Sequence, residues 1–167
     1  MQRSYILAGT LALVIVLLAC PAQAFTAKSL DIAVDQDGDA IITFDYELSL
    51  AENFAVFMQI ANPAAELKKA LEGNFGKPVE VIQADNGRAQ FVTRGYATVK
   101  ESDGTVTVKT PALSFENAEK VLKKYWFAPL VSPDFSPSVT RVRFSDGFSQ
   151  EYLDQLSIPS ISHTLNT

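Results

Sequence analysis

The stretch from Leu30 to Leu48, LDIAVDQDGDAIITFDYEL, constrains the fold more than any other part of the chain. Leu30, Ile32 and Val34 alternate with Ser29, Asp31 and Ala33, and Ile42, Phe44, Tyr46 and Leu48 alternate with Thr43, Asp45 and Glu47. A period of two sends the apolar side chains to one face of a strand and the polar ones to the other. Asp37-Gly38 lies between the two runs and supplies the positive φ that a tight hairpin turn requires. The chain must therefore build an antiparallel pair of strands and find something to cover its apolar face.

Helices are the expected cover. Ser49 and Glu52 are spaced as a capping box, and Phe54, Phe57, Met58 and Ala61 then share a helical face. Asn62-Pro63 restarts a helix with stripe Leu67, Ala70 and Leu71. Lys68 and Lys69 suit its C-terminal end, and Gly73 is placed to close it. Ser114 can cap a third helix, FENAEKVLKKYW, in which Phe115, Ala118, Val121, Leu122 and Tyr125 align. Further strands are expected at Val79 to Ile82, along a continuous run from Ala89 to Val99, at Val106 and Val108, and at Val142 and Phe144. Asn86-Gly87, Asp103-Gly104 and Asp146-Gly147 mark turns. The segments DGDAIITFDYELSLAEN and DGTVTVKTPALSFEN share an order of Asp-Gly turn, alternating strand and Glu-Asn, which suggests two ββα units. The expected class is α+β: an antiparallel sheet with two or three helices packed on one face.

The N-terminus reads differently. From Ser4 to Ala27 no residue is charged, and Arg3 stands just before the run. A short basic start, an apolar stretch and an exit of small residues describe a secretory signal. Ala22-Gln23-Ala24 fits an ordinary cleavage site. Leu17-Leu18-Ala19-Cys20 fits a lipobox that would make Cys20 the lipidated first residue, although Pro21 directly after it departs from that pattern. An uncleaved anchor is the third reading, since the run approaches the roughly 20 residues that span a bilayer. The expected organisation is residues 1–24 as signal peptide or anchor, 25–156 as one α+β domain, and 157–167 as a loose polar tail. The expected location is outside the cytoplasm, secreted or tethered to the outer face of the membrane.

Cleavage after Ala24 removes Arg3 and takes the formal net charge from −5 to −6. An acidic domain argues against nucleic acid, whose phosphates need a basic face. With Cys20 as the sole cysteine, the mature domain holds no internal disulfide and depends on its core. The sole histidine, His163, stands near the C-terminus, so the sequence points to no catalytic triad and requires no cofactor. Asp35, Asp37 and Asp39 offer hard oxygens suited to calcium, though their spacing is not that of an EF-hand loop and an acidic hairpin turn is the plainer reading. Tyr125, Trp126, Phe127 and Phe135 crowd a proline-stiffened segment that either caps the core or forms a rim for a ligand or lipid. Arg94, Arg141 and Arg143 are expected on strands, either as solvated sheet-face residues or as an anion site.

The order of exported leader, VDQDGDAIITFDYELSL hairpin, helix, hairpin and FENAEKVLKK helix resembles LppM-like exported lipoprotein domains over much of residues 29 to 124. The resemblance implies a surface-anchored α+β domain handling lipid or envelope material, and it carries over no catalytic residue. The resulting expectation is a non-enzymatic binding or envelope-interaction domain. Its partner would be an envelope protein, a lipid or a small ligand, with membrane contact only through the N-terminus. A lipid-binding domain with an aromatic lid and a carboxylate-dependent hydrolase of envelope material are the alternatives.

Overall fold

The computed structural model describes residues 23–48, 62–116 and 132–166. In chain order its elements are β1 (Gln23–Val34), β2 (Ala40–Glu47), α1 (Pro63–Phe75), β3 (Glu80–Ala84), β4 (Arg88–Thr93), β5 (Thr98–Ser102), β6 (Thr105–Lys109), β7 (Leu113–Ser114), β8 (Ser132–Asp134), β9 (Val139–Phe144), β10 (Ser149–Leu153), β11 (Ser157–Ile158) and β12 (Ser162–Thr164).

The expected first hairpin forms, with Ile32 opposite Ile42 and Leu30 opposite Phe44. Its turn is built by Asp35. One carboxylate oxygen accepts the amides of Asp37 at 3.0 Å and Asp39 at 2.9 Å, and Gly38 takes φ +85°. Around this hairpin grows a seven-stranded sheet in the order β10-β9-β1-β2-β4-β3, with β8 pairing the first part of β1. β8 and β9 run parallel to β1, and the other described pairings are antiparallel. One face of the sheet is the core. Leu30, Ile32, Ile42, Phe44, Phe91, Val142 and Phe144 are buried on it, each fully buried side chain contributing about 1.5–3 kcal/mol.

Two smaller sheets complete the described residues, β12-β6-β5 and β11-β7. The class is therefore mostly β, with one helix among the described residues, and the α+β expectation of two or three helices on one face is corrected. The two ββα units are corrected as well. The hairpin β1-β2 belongs to the large sheet and the hairpin β5-β6 to a separate one, so the shared turn-and-strand chemistry does not produce equivalent units. Of the three expected helices, the one begun by Ser49 and the body of the one after Ser114 lie outside the described residues. Ser114 itself is a strand residue paired with Ser157.

The helix at Asn62 forms as its cap predicts, with the Asn62 side chain accepting the Ala65 amide at 3.0 Å. It does not stop at Gly73. It runs to Phe75 and closes at Gly76, whose φ of +64° and amide bond to the Glu72 carbonyl make a left-handed cap. The continuous strand expected from Ala89 to Val99 is also broken. Gly95 takes φ +58° and turns the chain between β4 and β5. That turn is clasped by the first hairpin, because the Gly95 amide donates to Asp39 Oδ1 at 2.6 Å and the Ala97 amide to the Gly38 carbonyl at 2.8 Å. Lys77 Nζ adds a bond to the Gly95 carbonyl.

The expectation of a loose tail from Ser157 is corrected too. Ile158 and Ile161 are buried, and β11 and β12 each pair with an earlier strand. A polar average over this segment conceals two apolar anchors. Among the described residues no helix is long and apolar enough to cross a membrane.

Candidate functional site

The solvent face of the large sheet carries the polar half of every alternation, and strand register sorts it into rows. Glu151, Arg141, Asp31, Thr43 and Gln90 stand side by side on β10, β9, β1, β2 and β4. Arg141 Nε meets Glu151 Oε1 at 2.7 Å, and Arg141 Nη1 lies 3.4 Å from Asp31 Oδ1. Glu151 first and Asp31 second raise the Arg141 guanidinium above its ordinary pKa. A neighbouring row joins Ser29, Asp45 and Arg88. Arg88 forks onto both Asp45 oxygens at 2.5 and 3.1 Å, and Ser29 Oγ donates to Asp45 at 3.1 Å. The Arg88 hydrogen bond, helped by Ser29, holds the Asp45 carboxyl below its ordinary value despite partial burial.

The row on the other side of Arg141 breaks this pattern. It reads Ser149, Arg143, Ala33, Ile41, Val92 and Glu80 across six strands. Ala33 is too small to fill its place, so a dent opens between the flanking side chains. The dent is one part of an open groove of about 570 Å³. Its apolar lining is Ala33, Ile41 and Val92 from this face, together with Val34, Ala40 and Phe144, whose side chains are buried in the core, at the same end of the strands. Arg143 borders one side, and Asp35 and Asp39 border the end toward the first hairpin. Ile41 is 45% exposed on this face. Among the described residues Arg143 makes one ion-pair contact, a long one of 3.4 Å from Nη2 to Asp31 Oδ1, and Asp31 shares that oxygen with Arg141.

Comparison of the chain with protein-family models, with curated proteins and with solved structures finds no match. The resemblance to LppM-like domains thus rests on the residue pattern alone.

The structure treats the predicted site residues unequally. Arg141 and Arg143 stand on β9 as expected, two residues apart on one face. Arg94 does not join them. It is exposed in the turn after β4, and β4 is separated from β9 by β2 and β1. Asp35 and Asp39 are committed to backbone amides in the hairpin turn and its clasp, and Asp37 is exposed beside them. Among the described residues no three His, Cys, Asp or Glu side chains converge as a metal site would require. Phe135 is partly buried and packs against the core. Tyr125, Trp126, Phe127 and Cys20 lie outside the described residues.

Two features escaped the sequence. The groove is one, because it depends on the pairing of β1 with β9, 110 residues apart at Asp31 and Arg141. The other is His163. Its Nε2 bonds Asp146 Oδ2 at 2.8 Å, and its ring stacks on Phe148 at 4.1 Å between centroids. Asp146 also accepts the amides of Asn166 and Phe148. The Asn166 amide, then the His163 bond, then the Phe148 amide pull the Asp146 carboxyl down to a pKa of about 2. This pair locks β12 to the β9-β10 turn. The Asp146-Gly147 turn signal was legible in the sequence, and its histidine partner was not.

Proposed function

We propose that the chain is an exported, non-enzymatic binding domain, released or tethered at its N-terminus, and that it recognises a small amphipathic ligand in the groove on the solvent face of the large sheet. The uncharged leader from Ser4 to Ala27 supports export. The groove carries the binding reading. It interrupts a face of paired charges with exposed apolar surface at Ile41, and it places charged side chains at its borders. Its volume falls in the range of small-molecule sites, about 300–1,000 Å³. A few charged groups around an apolar floor fix a ligand's orientation and give selectivity.

The test is a screen of small amphipathic solutes against the wild-type protein and Ala33→Leu, followed by backbone amide shifts. Ala33 faces outward, so leucine fills the groove without disturbing the core. Binding is expected to move the amides of Ala33, Ile41 and Val92 in the wild type and to be lost in the variant. Solutes that bind both proteins alike, or that move amides elsewhere, would defeat the proposal.

A further inference from the structure

The borders of the groove identify the ligand class more closely, provided that the groove is the binding site proposed above. Arg143 offers a guanidinium with five donors, and among the described residues its ion-pair contact is the long one to a carboxylate already shared with Arg141. It has donor capacity for an incoming carboxylate. On the hairpin side, Asp35 and Asp39 each use Oδ1 for backbone amides, and among the described residues no hydrogen bond reaches either Oδ2. Those oxygens can accept an ammonium. Ala33 and Ile41 stand on the two strands beside these borders, and Val92 follows Ile41 on β4.

We infer that the groove takes a short apolar zwitterion of about dipeptide size, its carboxylate on Arg143, its ammonium toward Asp35 and Asp39, and its side chains on Ile41 and Val92. Charge complementarity favours this occupant over a simple amphiphile. A fatty-acid-like anion would leave Asp35 and Asp39 facing like charge, and a cationic amphiphile would face Arg143.

The experiment titrates leucyl-leucine, its N-acetyl derivative and its C-terminal amide into the full chain, reading backbone amide shifts and heats of binding. Leucyl-leucine is expected to move the Ala33, Ile41 and Val92 amides. Each blocked form is expected to bind about tenfold more weakly, the loss of one charge-assisted contact. Arg143→Gln should erase the difference between leucyl-leucine and its amide. Asp39→Asn, which keeps an acceptor for the Gly95 amide, should narrow the difference from the acetylated form. Equal binding of all three probes at the groove would overturn the zwitterion and leave the groove reading intact. No groove shift with any of the three overturns the zwitterion too. In that case, a hit from the amphiphile screen that Ala33→Leu abolishes would keep the groove reading, and the lack of any such hit would end both.

Discussion

Gly38 holds the first hairpin against the turn that begins β5, and Gly38→Ala should be unusually costly for a one-carbon change. A Cβ built there would lie 2.7 Å from the Ala97 carbonyl oxygen and 2.9 Å from Val99 Cγ2. The Ala97 backbone cannot retreat freely, because its amide is bonded to the Gly38 carbonyl at 2.8 Å. Three costs combine: the left-handed φ of +85°, at about 1–2 kcal/mol; overpacking, at about 1–3 kcal/mol; and weakening of that hydrogen bond, at about 0.5–1.5 kcal/mol. Gly104→Ala is the control, since Gly104 also has positive φ, at +74°, but meets nothing within 4 Å. It should lose only the first of these. Urea unfolding followed by circular dichroism should therefore separate the two variants by about 2 kcal/mol, or about 1 M in midpoint at a typical slope. Equal midpoints would refute the claim that the clasp between hairpin and β5 is tight.

Three further outcomes follow from particular contacts. Tyr96 is 4% exposed and its hydroxyl has no hydrogen-bond partner among the described residues, so Tyr96→Phe should leave stability unchanged or raise it by up to about 1 kcal/mol in the same unfolding assay; a clear loss would mean that the hydroxyl is satisfied. Asp146, drawn down to about 2 in the folded state, contributes stability at pH values above its ordinary unfolded pKa and loses it as pH falls through about 2. An acid titration of the wild type should show that loss, and Asp146→Asn should flatten the profile between about pH 4 and 2. Ile158→Ala should cost about 2–5 kcal/mol because Ile158 is a core residue at 5% exposure, and a change under about 0.5 kcal/mol in thermal unfolding would restore the picture of a loose tail.

The two Asp-Gly hairpins illustrate what local pattern can and cannot convey. Both turns form where the alternation and the glycine require them, because strand periodicity and positive φ are properties of a few adjacent residues. Their resemblance as sequences, however, says nothing of which sheet each joins, and they join different ones. The run from Ala89 to Val99 misled for a related reason. Its composition suits a strand on both sides of Gly95, and Asp39 and Gly38, more than 50 residues earlier, bond the Gly95–Ala97 backbone and stabilise a turn there. The tail misled because Ile158 and Ile161 bury their side chains only once β7 and β6 are in place beside them.

By itself, the sequence determined the first hairpin, its Asp-built turn, the cap of α1 and the uncharged leader, since each depends on neighbours a few residues apart. Tertiary structure decided the class and the candidate site. Arg143, Ala33, Ile41 and Val92 come from four strands, and only the parallel pairing of β9 with β1 sets them in one row. Such a pairing joins distant segments whose alternation is equally compatible with other partners, so its choice rests on how all the strands pack together.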